Sequence, residues 1–402
     1  MPLPLEGIRV ADFGWILAAP QCTAWLGAMG AEVIRIESHQ RIDIIRFLGQ
    51  DPRKEITPNG SPLFSGLNFS KKSITLNLSH PRGVGLAKEL IKHSDIVVEN
   101  FTGGVMKRWG LGYDDLRQLK SDIIMVSGTP VGQSGPDSHC VGWGPITQAS
   151  AGICHLTGYE DGPPSSLGGS WPDYMVGVAM SYAVQAALFC RKRTGKGQYI
   201  DLAMAEVVTS MLPDAVMDYT MNRRDQGRIG NHDTLMAPHN VYRAKGDDSW
   251  VTIVVETEQE WRSLCGAVGH PEWIEDERFK DQKSRKANEI ELDELLTAWT
   301  RERTNTDIMH QLQKVGVAAT PVFDTESLLN DPQFQTREFL VSPPHPETGG
   351  HPVSGIPGIY SGFEPQYGQA PCLGQDTESV CCDLLGLSRE EVARLQDEKV
   401  LY

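Results

Sequence analysis

The stretch GGSWPDYMVGVAMSYAVQAALFCRKR, from Gly168 to Arg193, places one carboxylate between a glycine turn and a long apolar helix. Pro172 bars an earlier helix from running through, because the residue before a proline is pushed out of the α region. Asp173 then stands where an N-cap belongs, ahead of a run rich in Ala, Val and Met. Arg191, Lys192 and Arg193 close that run and suit the negative end of a helix dipole. The positive end favours the ionised form of Asp173, and an exposed, ionised carboxylate is what covalent catalysis by Asp requires. Two roles are open to Asp173 at this point: a helix cap or a nucleophile.

Other chemistries find less support. The chain holds no G-x-S-x-G elbow for a serine nucleophile. His80, His139, His155, His232 and His239 fall in loops or turns, and no H-E-x-x-H spacing occurs, so no metal site is expected. Eight cysteines are scattered without a C-x-x-C pair, which indicates neither a zinc site nor a disulfide framework and fits a reducing, cytoplasmic setting. Arg35, Lys71, Lys72, Lys107 and Arg108 cluster around predicted strand ends. They are either solvated charge or a phosphate clamp.

The elements that must position these residues alternate. Ile8–Asp12, Glu32–Glu37, Ser73–Leu78, Asp95–Asn100 and Ile123–Val126 read as buried strands. Helices fall between them over 20–29 and 81–92, and again over 145–156. A further strand at 198–202 and a helix over 206–221 follow the Asp173 helix. This predicts an α/β fold with a doubly wound, Rossmann-like parallel sheet. Ligands of such sheets bind beyond the carboxyl ends of the strands, which nominates Gly14 to Leu17, Glu37, Asn77 to Ser79, and Asn100 with Phe101. A dinucleotide is disfavoured, since Gly14 stands alone where G-x-G-x-x-G is required. From about Arg223 the pattern changes to alternating strands at 241–244 and 250–255 with amphipathic helices, a smaller α+β domain. The predicted division is 1–222, 223–320, and a C-terminal return to the large domain over 321–402.

The 402 residues are too many for one simple core. The net charge of −15 argues against nucleic-acid or membrane-surface partners. The apolar stretch from Tyr174 to Cys190 is short for a membrane span and contains Ser181 and Gln185, so a buried core helix is expected. The N-terminus lacks the pattern of a signal peptide.

Several long motifs together resemble family III CoA-transferases, a superfamily that includes formyl-CoA transferase, carnitine CoA-transferase and α-methylacyl-CoA racemase. They are LEGIRVADFGWILAAPQCTAWLGAMGAEVIRIE, NFSKKSITLNL, DIVVENFTGGVMKRWGLGYDDL, ITQASAGICHLTGYEDGPP, PDYMVGVAMSYAVQAALFCRKRTGKGQYIDLAM, SGIPGIYSGF and APCLGQDT. They cover nearly the whole chain in order. The resemblance implies that Asp173 is the nucleophile and that CoA thioesters are substrates, with no tightly bound cofactor. It implies CoA contacts at Leu17, Asn77, Asn100, Phe101 and Arg108. With the strand-end and charge arguments, the candidate CoA-binding set becomes Leu17, Ala18, Arg35, Lys71, Leu76, Asn77, Ser79, Asn100, Phe101, Arg108 and Trp143.

The resemblance also implies an interlocked, ring-like dimer, either a homodimer or a heteromer with a homologous subunit. There are departures from the pattern. Leu17 stands where formyl-CoA transferase has glutamine, and Ser38 where it has arginine. Its tetraglycine flap is replaced by Ile229-Gly230-Asn231, so formyl and oxalyl substrates are not expected. The racemase branch carries a histidine where Trp143 stands, which leaves Asp173 without a second proton-transfer group. Trp15, Trp143 and Trp171 are either core residues or the lining of a roomy acyl pocket. These features favour a CoA-transferase that draws on a donor such as succinyl-CoA, with a larger or aromatic acid acceptor such as benzylsuccinate. The alternatives are an α-methylacyl-CoA racemase and a non-catalytic subunit of a heteromeric transferase.

Overall fold

The computed structural model describes residues 2–402. The chain divides into two compact units. One comprises Met1–Cys154, Ser166–Arg224 and Gln333–Tyr402; the other comprises His155–Ser165 and Asp225–Pro332. The smaller unit thus begins close to the predicted turnover near 223. It runs about a dozen residues beyond 320, and it also takes the loop at 155–165.

The large unit is built on β1 (Arg9–Asp12), α1 (Ala18–Ala28), β2 (Glu32–Glu37), α2 (Pro62–Asn68), β3 (Lys71–Thr75), α3 (Pro81–Lys92), β4 (Ile96–Glu99), α4 (Val105–Arg108), α5 (Tyr113–Leu119) and β5 (Ile124–Thr129). It continues through α6 (Gly144–Ser150), α8 (Trp171–Thr194), β6 (Tyr199–Ala203), α9 (Met204–Thr209) and α10 (Pro213–Asn222), while α7 (Ile153–Leu156) straddles the division at Cys154. The six strands form one parallel sheet in the order β3-β2-β1-β4-β5-β6. That is the doubly wound order, with a crevice where the winding reverses between β1 and β4. Two predicted helices are each broken. Gly152, at φ +93°, separates α6 from α7, and Pro213 starts α10 afresh after α9.

One face of the sheet is covered by α1 and α8, the other by α3, α5 and the C-terminal segment. The α8 helix buries Val176, Met180, Val184 and Ala187 against the sheet. Its close approach depends on small residues. A Cβ on Gly177 would lie 2.8 Å from the Gln21 side chain on α1, and one on Gly128 would lie 2.7 Å from Met180 Sδ. By length and composition α8 could cross a membrane, yet a full stripe of it is committed to this core. The expected burial holds for that face alone, because Val178, Tyr182 and Phe189 on the other side are exposed.

In the smaller unit, β7 (His239–Arg243), β8 (Trp250–Val254) and β9 (Ala318–Pro321) form an antiparallel sheet in that order. It packs on α11 (Glu258–Val268), α13 (Glu289–Thr300) and α14 (Asn305–Gln313), with α12 (Gln282–Ala287) between them in sequence. The return segment closes the large unit's core with Val380, Cys381, Val392, Leu395, Val400 and Leu401.

Beneath the carboxyl ends of β1 and β2 lies a buried ion network that also draws on Lys71, the first residue of β3. Arg35 contacts Asp43 at 2.6 Å and Glu37 at 3.4 Å, Arg46 holds Glu37 at 2.6 Å, and Lys71 meets Asp12 at 3.1 Å. All six side chains are at most 2% exposed where they pair. Burial alone would raise the Glu37 carboxyl; the guanidinium groups of Arg35 and Arg46 outweigh it and draw it down to about 2. Burial lowers the Lys71 ammonium to about 8 against the pull of Asp12. Removing one partner leaves an uncompensated interior charge. Arg46→Met, which leaves Glu37 with the longer Arg35 contact as its one cation and a hydrogen bond from the Ser73 hydroxyl, should cost about 3–5 kcal/mol. The measurement is the urea midpoint of the tryptophan fluorescence transition. A loss no larger than that of a surface pair, about 1 kcal/mol or less, would show that the network does not hold the fold.

Candidate active site

Asp173 lies at the third position of α8, one turn later than an N-cap, which is Ser170. Pro172 is not upstream of the helix but inside its first turn, where a missing N–H costs nothing. Nor is the carboxylate exposed: Asp173 retains 6% of its accessible surface. Burial pushes it up to about 6, opposed by hydrogen bonds from its own backbone N–H and from that of Gly144. Gly144 is the first residue of α6, so two helix starts converge on one carboxylate. The approach is so close that a Cβ on Gly144 would sit 2.0 Å from Asp173 Oδ2.

The surrounding loop fixes this pair at the carboxyl edge of the sheet. Gly142 packs near Pro130, just past β5: a Cβ added to it would lie 3.3 Å from Pro130 Cβ. The Pro130 carbonyl accepts from the N–H of Ala205 at 2.9 Å. Gln133 then bridges towards β4. Its backbone N–H donates to the Asp201 carboxylate at 2.8 Å, its side-chain N–H donates to Glu99 Oε1 at 3.3 Å, and its Oε1 accepts from the Gly104 N–H at 3.1 Å. Glu99, raised to about 7 by burial, accepts from the Phe101 N–H at 2.7 Å.

At the same edge a cavity of about 310 Å³ opens beyond the ends of β1 to β4. Its lining combines Phe13, Trp15, Glu37, Arg41, Leu76, Asn77, Leu78, Ser79, Phe101 and Trp109, with Ile36, Ser38, Gln40, Thr102 and Val105 completing it. Phe101 stands edge-on to Trp109 at 5.4 Å and tilts against Trp15 at 6.2 Å. A larger cavity of about 900 Å³ is lined by residues between 333 and 367.

Of the candidate CoA residues, Leu76, Asn77, Ser79 and Phe101 line this cavity. Asn77 spends its side chain on the Lys399 carbonyl, at 3.1 Å, and on the Ser79 N–H. Asn100 shapes rather than lines it: its amide grips both the N–H and the carbonyl of Trp15, at 2.7 and 2.8 Å. Leu17 packs with Ile45, Phe64 and Leu67, and Ala18 lies in the core under α1. Arg108 is exposed on α4 outside the lining.

Two expectations are corrected. The side chains of Arg35 and Lys71 are fully buried in ion pairs, so they cannot clamp a phosphate. The three tryptophans do not share a pocket either. Trp15 lines the strand-end cavity, Trp143 is 58% exposed beside Gly144, and Trp171 is half-buried at the start of α8. Sequence reasoning passed over Gly144 and Arg41. A glycine one residue from a predicted helix start was the available signal for the first; the second lies in a loop without a motif.

The chain matches the profile of CoA-transferase family III over residues 5–377. The chain belongs to that family. It is a CoA-transferase, acting between acyl-CoA thioesters and carboxylic acids. It is 33% identical to a succinyl-CoA–D-citramalate CoA-transferase of Chloroflexus aurantiacus, over 100% of this chain and 98% of that one. It is also 33% identical to the beta subunit of a succinyl-CoA–L-malate CoA-transferase of the same organism, over 99% and 98%. Its structure matches that of a CAIB/BAIF family protein from Brucella suis at a TM-score of 0.87 and 29% identity, covering 96% of this chain and 100% of that one.

Two outcomes follow from the carboxylate's surroundings. A carboxylate can attack only as its anion, so a role for Asp173 in turnover predicts a rise with pH through about 6 and a level rate above it; a flat profile between pH 5 and 7 would exclude this group as the titrating one. Gly144→Ala drives a methyl group into Asp173 Oδ2 and should lower kcat at least 10²-fold while leaving the circular dichroism spectrum unchanged, an effect of the size that ångström-scale misplacement produces.

Proposed function

We propose that the protein moves CoA from succinyl-CoA to a 2-substituted succinate, with Asp173 as the covalent carrier. The observation that carries this reading is a buried carboxylate, raised to about 6, between two backbone N–H donors at the carboxyl edge of the sheet. Poorly solvated yet ionised near neutral pH, it is a stronger nucleophile than a surface aspartate.

The steps balance without an added reagent. An Asp173 oxygen attacks the thioester carbonyl and expels CoA as thiolate, giving an aspartyl–succinyl anhydride. The thiolate attacks the Asp173 carbonyl carbon, forms an aspartyl-CoA thioester and releases succinate. The acceptor carboxylate displaces the thiolate in turn, and the thiolate then takes the acceptor acyl group. The Asp173 carboxylate is restored. The Gly144 N–H, already directed at Asp173, suits the oxyanion that forms at its carbonyl carbon.

Support for the donor comes from the relatives named for succinyl-CoA. Their acceptors, D-citramalate and L-malate, are substituted succinates, and so is benzylsuccinate; the dispersal of Trp15, Trp143 and Trp171 gives no preference for an aromatic substituent. The large unit's exposed α8 face is compatible with the interlocked dimer that the family resemblance implies, and a homologous second subunit is compatible with the heteromeric relative. Eight free cysteines fit a cytoplasmic site of action.

The test is a screen of succinyl-CoA against malate, citramalate, glutarate and benzylsuccinate, read by mass spectrometry of the CoA esters. The expected result is transfer to one or more substituted succinates by the wild type and none by Asp173→Ala. Hydroxylamine added with succinyl-CoA should convert Asp173 to its hydroxamate. Retention of turnover by the alanine variant would remove Asp173 as carrier. Incorporation of deuterium at the α-carbon of a 2-methylacyl-CoA in heavy water, without hydroxamate, would replace the transferase reading with the racemase.

A further inference from the structure

The amide that meets Asp173 belongs to a peptide whose other side is locked. The bond between Trp143 and Gly144 presents its N–H to the Asp173 carboxylate, so closely that a Cβ on Gly144 would stand 2.0 Å from Oδ2. Its carbonyl accepts from the N–H groups of Ile146 and Thr147, both at 3.0 Å, and from the Thr147 hydroxyl at 3.1 Å. A trans peptide is planar, so its C=O and N–H point in opposite directions and fixing one aims the other. Threonine hydroxyls in helices often bond back to the carbonyl four residues earlier. Here that carbonyl shares its peptide with the amide at the carboxylate.

The next residue along α6 secures the chain on the other side of Asp173. Gln148 is fully buried. Its amide pairs with both backbone groups of Leu167: Nε2 donates to the carbonyl at 3.1 Å and Oε1 accepts the N–H at 2.9 Å. A glutamine amide carries one donor group and one acceptor, which is the complement of a peptide. Leu167 stands just past the point where the chain re-enters the large unit, ahead of the glycine turn that leads into α8. Gly168 and Gly169 are exposed, and a Cβ on either would meet nothing within 4 Å. Packing therefore does not fix this lead-in, and the Gln148 amide does.

We infer that Thr147 and Gln148 are positioning residues of the reaction: Thr147 aims the Gly144 amide at Asp173, and Gln148 holds the start of α8 so that the carboxylate stays within reach of that amide. This rests on the reading of Asp173 as the covalent carrier. Both side chains act through backbone groups, and neither supplies a proton or a charge. The Gly144 N–H favours the carboxylate anion before attack and the oxyanion at the same carbon afterwards, so its aim counts in every step.

The experiment follows exchange of labelled succinate into succinyl-CoA across pH, for wild type, Thr147→Val, Thr147→Ser, Gln148→Met and Asp173→Ala. Gln148→Met keeps the volume and loses both bonds; it should lower kcat at least about tenfold and leave the KM for succinyl-CoA within about twofold. Thr147→Val should lower kcat about threefold or more, and Thr147→Ser, which keeps the hydroxyl, should restore it. The Gly144 bond draws the Asp173 carboxyl down, so loosening it leaves burial less opposed. The acid limb of the kcat profile should therefore move upward from about 6, by about half a unit or more, in Thr147→Val and Gln148→Met. Should Gln148→Met not fold, the Thr147 pair decides by the same readouts. Wild-type kcat and midpoint in these variants, beside an inactive Asp173→Ala, would overturn the positioning role and leave the carrier in place. A fall in kcat with an unmoved midpoint would reduce both residues to scaffold and overturn it equally. Exchange that survives in Asp173→Ala would overturn the carrier reading itself.

Discussion

Six charges buried together under the strand ends set the geometry on which the functional edge depends. Three are positive, Arg35, Arg46 and Lys71, and three negative, Asp12, Glu37 and Asp43, so the cluster is neutral as a whole. Its members come from β1, β2, β3 and the segment after β2. The Asp43 carboxylate also accepts the N–H of Ile16, at 2.9 Å, a residue held at φ +61°. A β-branched side chain tolerates that backbone poorly. The loop bearing Trp15 therefore takes its shape from an ion pair one layer below it. Arg46 lies 3.6 Å from the centre of the Phe64 ring, which binds α2 to the same cluster. Because the interior penalises any unbalanced charge, these loops move together or not at all.

The Asp173 carboxylate obeys a second balance. Burial works against the Asp173 anion while two amide donors work for it, and burial wins, holding the group at about 6. A site that solvated the carboxylate fully would be more stable and less reactive. The stripe of small residues along α8, with Gly177 against α1 and Gly128 under Met180, lets the helix lie close on the sheet. Its first turn consequently reaches the loop that carries Gly144.

Much of this was legible in the sequence. The strand at 32–37 and the helix at 81–92 are found where alternation and capping put them, since both are set by local pattern and burial. The strand-end rule nominated Asn77 to Ser79 and Phe101, which meet across the cavity because parallel winding brings successive carboxyl ends to one edge. What failed to show were the distinctions that depend on side-chain partners far away in sequence. Arg35 sits within a strand whose neighbours are Ile34 and Ile36, and nothing local tells whether its charge meets a ligand or Asp43. Asp173 was read one turn too early because Pro172 serves equally before a helix or within its first turn. The contact of Gly144 with Asp173 spans 29 residues and two helices, and only folding reveals it.

The two-part build of the large unit bears on how the protein is made. Ala11 on β1 shares one apolar core with Val400 and Leu401, while the whole of the smaller unit is translated between them. The smaller unit has its own sheet and core, and can complete them while still tethered to the ribosome. The parallel sheet cannot. Until residues 380–401 leave the ribosome, the face carrying Ile74, Val97 and Met125 has only α3 and α5 to cover it. The large unit thus stays incompletely covered while the smaller unit is being made, and that interval is when chaperones have most to offer the nascent chain.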